Sequence, residues 1–247
     1  MIKTILSVAA ALTLAVPALA NKNPVLSQKV ASGDVVGNGD KLRSQDPKVK
    51  FYTPEATGCM ILRECKEDVK QVFSLLDVSS HYNNPERFTR VATEFNTMLV
   101  YLNQVGIDVF LADERYFPVG TRGLYHTKHN RFFLNKTFMR RPSALMAVMR
   151  HEGYHAAQDC MAGTIDNSFL ALINPEEKVP KYWVNVVEDT YPKIAWPWEK
   201  EAFWAGHTEG MTLEALRACA SDTPMWEVYE PTPLTREWLI EKGFITK

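Results

Sequence analysis

The stretch MRHEGYHAAQDC, Met149 to Cys160, decides how the rest of the chain is read. It carries two histidines four positions apart, with a glutamate directly after the first. It lies within SALMAVMRHEGYHAAQDCMAG, where Leu145, Val148, Met149, Gly153 and Ala156 fall near one face. Pro142 suits a first helical turn and Gly163 suits a stop, so a helix is expected between them. A helix repeats every 3.6 residues, which puts His151 and His155 on one face, one turn apart. Two imidazoles at that spacing can share a zinc ion, and Glu152 beside them can take a proton from water polarised by it.

Working outward, the segment before this helix reads as a small sheet. Ile107 to Phe117 (IDVFLADERYF) alternates like a strand, Pro118 and Gly120 turn the chain, and Gly123 to Asn135 contains a second strand. Further back, Glu64 to Leu76 has helical spacing at Val69, Val72, Phe73 and Leu76. A longer helix is expected from Asn84-Pro85 to about Gln104, with Gly106 as its stop. On the other side, Lys181 to Val187 is ambiguous between helix and strand. Pro197 opens a helix running to about Ser221, and a short helix near Thr235 to Lys242 closes the chain. Helices, a small sheet, then helices make an α+β domain, mainly helical, with the sheet next to the histidine helix.

The first twenty residues are of another kind. MIKTILSVAAALTLAVPALA has a lysine, a short apolar run and an Ala18-Leu19-Ala20 end, the three-part pattern of a signal peptide cleaved after Ala20. Residues 21–50 are polar and aperiodic and read as a loose mature N-terminus, leaving 51–247 as a single domain. Secreted or periplasmic location follows, with no membrane span after cleavage. Four cysteines, Cys59, Cys65, Cys160 and Cys219, then favour disulfides. Of three possible pairings, Cys59–Cys65 with Cys160–Cys219 is preferred. A hydrophobic content of 46% supports a buried core, and a net charge of -1 gives no reason to expect a nucleic-acid partner.

The histidine helix and the strand before it resemble the zincin metallopeptidases over about Ile107 to Ala220. In that family an edge strand precedes the H-E-x-x-H helix and receives extended substrate; YHTKHNRFFLN before ALMAVMRHEGYH is similar. A third metal ligand is then required. The metzincin pattern wants a later histidine, but Gln158 and Met161 stand at its places, and it is rejected. The gluzincin pattern supplies a glutamate from a later helix, and WPWEKEAFWAGH resembles it. The resemblance implies Glu199 as the third ligand with Glu201 as its rival. Phe203 stands where the family has Asp or Asn, and Ala202 and Gly206 would let the two helices lie close.

Asp159, Asp189 and Glu209 are candidates to steady a ligand histidine. His207, Tyr182 and Tyr191 are candidates to stabilise charge on the substrate oxygen, with His207 carried as a catalytic residue. The expectation is an exported zinc hydrolase that cuts peptides or proteins. The alternatives are an exported domain that binds metal only for stability, and a zinc amidase acting on cell-wall material.

Overall fold

The structure, a computed structural model, describes residues 54–65, 67–165 and 169–246. The expected signal peptide and loose N-terminus lie outside the described residues. In chain order the elements are α1 (Pro54–Leu62), β1 (Val69–Gln71), α2 (Leu75–Ser79), α3 (Ala92–Gln104), β2 (Asp108–Ala112), β3 (Gly123–His126) and β4 (Arg131–Asn135). Then follow α4 (Pro142–Met161), α5 (Lys181–Thr190), α6 (Trp196–Gly206), α7 (Met211–Cys219), α8 (Met225–Val228) and α9 (Pro233–Glu241). The fold is α+β, mainly helical, with one mixed sheet. No helix among the described residues is long and apolar enough to cross a membrane.

The sheet order is β1-β2-β4-β3. β2 and β4 run parallel, with Ala112 opposite Asn135, while β1 and β3 are antiparallel to their neighbours. Period-two alternation gives each strand two faces. Val109, Leu111, Tyr125, Phe132 and Leu134 join the main core under the helices. Phe110, Ala112, Leu124 and Phe133 face the other way, in a second cluster with Met60 of α1, Tyr116 and Phe117. β3 is therefore an edge strand, and the residues flanking Leu124 face α4.

α4 is the central helix. Pro142 opens it, Gly163 at φ 109° follows its end, and nearly every residue from Leu145 to Asp159 is buried. It is surrounded by α3, α6, α7 and β3. Glycines set two of these approaches. A β-carbon on Gly206 of α6 would come within 3.0 Å of the Ala147 carbonyl oxygen and 3.2 Å of His151 Cβ. One on Gly123 of β3 would come within 2.5 Å of Val148 Cγ1.

Several expected elements differ. Glu64 to Leu76 is not one helix: Val69–Gln71 is strand β1, and α2 begins after Ser74, which shares a capping box with Asp77. The β-branched Val69 and Val72 suit a ladder as well as a helix, and Val72 N–H extends the ladder to the Val109 carbonyl (2.8 Å). Phe73 and Leu76, placed on an apolar helical face by spacing, are 72% and 67% exposed. The helix expected from Pro85 starts as a 3₁₀ turn, Pro85–Val91, before α3. Gly123 to Asn135 holds two strands, joined through Asn130 in the left-handed region (φ 50°). The ambiguous segment is helix α5. The long helix after Pro197 is two helices, parted where Gly210 adopts φ 84° and starts α7.

Both preferred disulfides are present, Cys59–Cys65 and Cys160–Cys219. The second joins the last turn of α4 to the end of α7.

Candidate metal centre

One turn of α4 and the first turn of α6 bring three donors together. His151 Nε2 and His155 Nε2 are 3.2 Å apart. Glu199 Oε2 lies 3.3 Å from His151 Nε2, and Glu199 Oε1 lies 3.6 Å from His155 Nε2. Donors held 2.0–2.2 Å from a common centre at tetrahedral corners stand about 3.3–3.6 Å apart. The imidazole nitrogens stand close to that edge length from one another, and each faces its own Glu199 oxygen at that spacing, so the group could hold a metal ion. All three side chains are buried, and the buried Glu199 Oε2 makes no hydrogen bond to the described residues. Buried carboxylate and imidazole atoms left this way carry a desolvation cost that a cation would offset.

The charges of the trio are coupled. Burial pulls both imidazoles down. His151 stays below its ordinary value despite Glu199, whereas for His155 the pull of Glu199, with Glu152 and Gln158, wins and carries it up to about 9. Burial pushes Glu199 up, but His155 and His151 outweigh it and hold the carboxyl at about 2.

The rival carboxylate has another task. Successive helical residues are 100° apart, so Glu201 points away from Glu199's direction. Its Oε2 accepts from the Gln158 amide (2.9 Å) and Ile173 N–H (3.2 Å), and its Oε1 from Asn174 N–H (2.5 Å) and Tyr154 OH (3.3 Å). Gln158, its amide nitrogen so engaged, turns Oε1 to His155 Nδ1 at 2.8 Å. His155 Nδ1 therefore donates to Gln158, and Nε2, whose proton faces Glu199 in the metal-free chain, is the nitrogen that a metal would take. The steadying partner is thus Gln158, on the same helix three residues on, and Glu201 orients it. Asp159 instead accepts from Tyr125 OH (2.7 Å), and Asp189 and Glu209 are exposed. Gln158 drew attention in the sequence only as a departure from the metzincin pattern; its role depends on a side chain from α6.

Glu152 lies on the β3 side of the group. Its Oε2 accepts from Tyr125 N–H of the edge strand (2.9 Å), while Oε1 is buried with no hydrogen bond to the described residues. Burial, reinforced by Glu199, raises its carboxyl to about 8 against the opposing pull of His155 and the Tyr125 N–H. Tyr191, at the end of α5, is also buried, and its hydroxyl has no partner among the described residues. Burial and then the charges of Glu199 and Glu152 push its pKa far up, so it stays a neutral O–H donor beside them. Tyr182 is 68% exposed. His207 is exposed; its Nδ1 donates to the Phe203 carbonyl (2.8 Å) and its ring stacks on Trp183 and Phe203. It makes no hydrogen bond to the trio; its charge acts on His151, and Phe203, whose ring meets His151 edge-on at 6.2 Å, packs against both.

No family model, curated protein or solved structure matches this chain.

Proposed function

We propose that this chain is an exported zinc-dependent hydrolase of zincin type that cuts peptides. One observation carries the reading: an unpartnered carboxylate oxygen of Glu152 lies beside a buried His151–His155–Glu199 group whose donor atoms converge. Two imidazoles and one carboxylate suit zinc, and three protein donors leave one position open. When bound there, zinc supplies Lewis acidity and lowers the pKa of water at that position towards 7.

The chain's own residues do the rest. Glu152 Oε1 takes the proton of the attacking water and passes it to the leaving amine. The Tyr125 N–H fixes the other oxygen, so this carboxylate does not swing. Tyr191 O–H donates to the substrate carbonyl oxygen as negative charge grows there. The edge of β3 takes an extended peptide as an added strand.

Mature protein carrying one equivalent of zinc should cleave a peptide library. His151→Ala should lose zinc. Glu152→Gln should keep zinc and lose about 10²–10⁴-fold in rate, the usual worth of a positioned general base. Full activity in Glu152→Gln removes the mechanism. The burial of all three donors favours a second reading, a closed metal centre serving stability alone. In that case a chelator lowers the melting temperature and no peptide is cut at any enzyme concentration.

A further inference from the structure

A second site lies away from the candidate metal centre, where the parallel strands β2 and β4 end. Because these strands point the same way, the loops that leave them begin side by side, an arrangement that places ligand crevices at strand carboxyl ends in other sheets with parallel strands. Here the crevice is a cleft of about 490 Å³ lined by His81, Tyr82, Arg87, Asp113, Lys136 and Arg140, among others. Its volume lies within the range of ligand pockets and exceeds the needs of a lone inorganic ion.

The charge in the cleft is mainly positive. Arg87, Lys136 and Arg140 make no ion pair with any described carboxylate and outnumber Asp113, the acidic residue of the lining, whose Oδ1 accepts from the Arg115 N–H (3.2 Å). Cations clustered without partners repel one another, a cost that an anion would remove. The walls are also fixed. Tyr82 OH donates to the Lys136 carbonyl (2.7 Å) and ties the 81–84 loop to the turn after β4. The buried Asn135 caps that turn by accepting from Thr137 N–H (3.1 Å) and donates to the Thr121 carbonyl (2.7 Å). The backbone that carries Lys136 is therefore set before any ligand arrives, which lowers the entropic cost of binding.

We propose that this cleft binds a phosphorylated small molecule or head group, its phosphoryl dianion held by Arg87, Lys136 and Arg140. Two guanidinium forks and an ammonium match the charge and oxygens of a phosphoryl group better than those of a single carboxylate. The remaining volume takes a group of about sugar size. The site is separate from the proposed hydrolytic centre and does not depend on it.

Isothermal titration of the full mature chain tests this with four probes: a hexose phosphate, the same neutral hexose, and phosphatidylcholine vesicles with and without phosphatidic acid. Saturable binding of the hexose phosphate, or of the acidic vesicles alone, supports the site and says which source supplies the phosphoryl group. The Lys136→Ala/Arg140→Ala variant should weaken that binding at least about tenfold, with zinc content unchanged. Lys136→Arg should retain it. Arg87→Gln, in the Pro85–Val91 turn, should weaken it independently and covers the case of a double variant that fails to fold. Absence of saturable binding to both phosphorylated probes, or binding undiminished in the folded variants, overturns the proposal.

Discussion

Gly123 and Glu152 are in contact across the β3–α4 interface, so closely that a β-carbon on Gly123 would stand 2.9 Å from Glu152 Cγ and 3.0 Å from its Oε1. The edge strand and the proposed general base are thus positioned by one another, through this contact and through the Tyr125 N–H bond two residues on.

Gly123→Ala should therefore act at long range for so small a change. The added methyl meets Val148 as well as Glu152, and overpacking of this kind costs about 1–3 kcal/mol. β3 must retreat from α4, which loosens the hydrogen bond that holds Glu152. Denaturant unfolding should show the stability loss, and peptide cleavage should fall while zinc content stays at one equivalent.

Replacing Glu201 separates orientation from ligation. Glu201→Ala leaves the Ile173 and Asn174 N–H groups without an acceptor and the Gln158 amide with the Trp198 carbonyl (3.3 Å) alone, a loss of roughly 3 kcal/mol. Gln158 is then held less firmly toward His155, and loss of such a supporting bond weakens metal binding about 10–100-fold. Gln158→Leu should reproduce the weaker zinc affinity without the larger stability loss. Glu199→Ala should remove zinc binding at equimolar metal. Competition with a chelating dye measures all three.

Tyr191→Phe makes a sharper test of the proposed chemistry. The hydroxyl is buried without a partner, so its removal should leave stability unchanged or slightly raised. Zinc affinity should not move. If the hydroxyl donates to charge that develops only during reaction, kcat should fall about 10²–10³-fold with little change in KM.

The raised pKa of His155 fixes the direction of the pH dependence. In the metal-free chain His155 holds its proton up to about pH 9, and zinc must displace it. Zinc affinity should rise about tenfold per pH unit below that value, and more steeply where the Glu152 proton is displaced as well. Stability of the metal-free chain runs the opposite way. The contribution of His155 is complete below its unfolded value of 6.5 and is lost as pH rises through 9. Glu152, raised to about 8, keeps its proton after the unfolded chain has lost it above 4.5, so it too favours the folded state less as pH rises. The Glu199 contribution is constant here, being lost only on falling through about 2. Between pH 7 and 8 the metal-free melting temperature should drop while zinc affinity climbs, which thermal melts with and without chelator would check.

The histidine helix was legible because its signals are local: Pro142 before it, Gly163 after it, and a spacing fixed by helical geometry. Glu199 was legible through likeness to a known pattern, not through any property of its own segment, which offers Glu201 equally. Only the packing of α6 on α4 separates the two, by sending one carboxylate to the imidazoles and the other to Gln158. Strand β1 is three residues long, too short to display a period of two, and Val69 and Val72 stand at helical spacing although the ladder sends them to opposite faces and separate clusters. Its hydrogen bonds go to β2, some forty residues away, and spacing within one segment carries no trace of them. The break at Gly210 leaves no mark in the spacing, because the apolar pattern resumes on its far side.

The Cys160–Cys219 bridge has a consequence for how the metal would be regained. It closes a covalent ring of sequence separation 59 that begins one helical turn past His155 and contains Glu199. Even when the chain unfolds, that ring caps how far the carboxylate can stray from the two imidazoles and raises its effective concentration at them. The oxidised chain should recapture zinc in a fast, intramolecular step, whereas the reduced chain must first search a much larger volume.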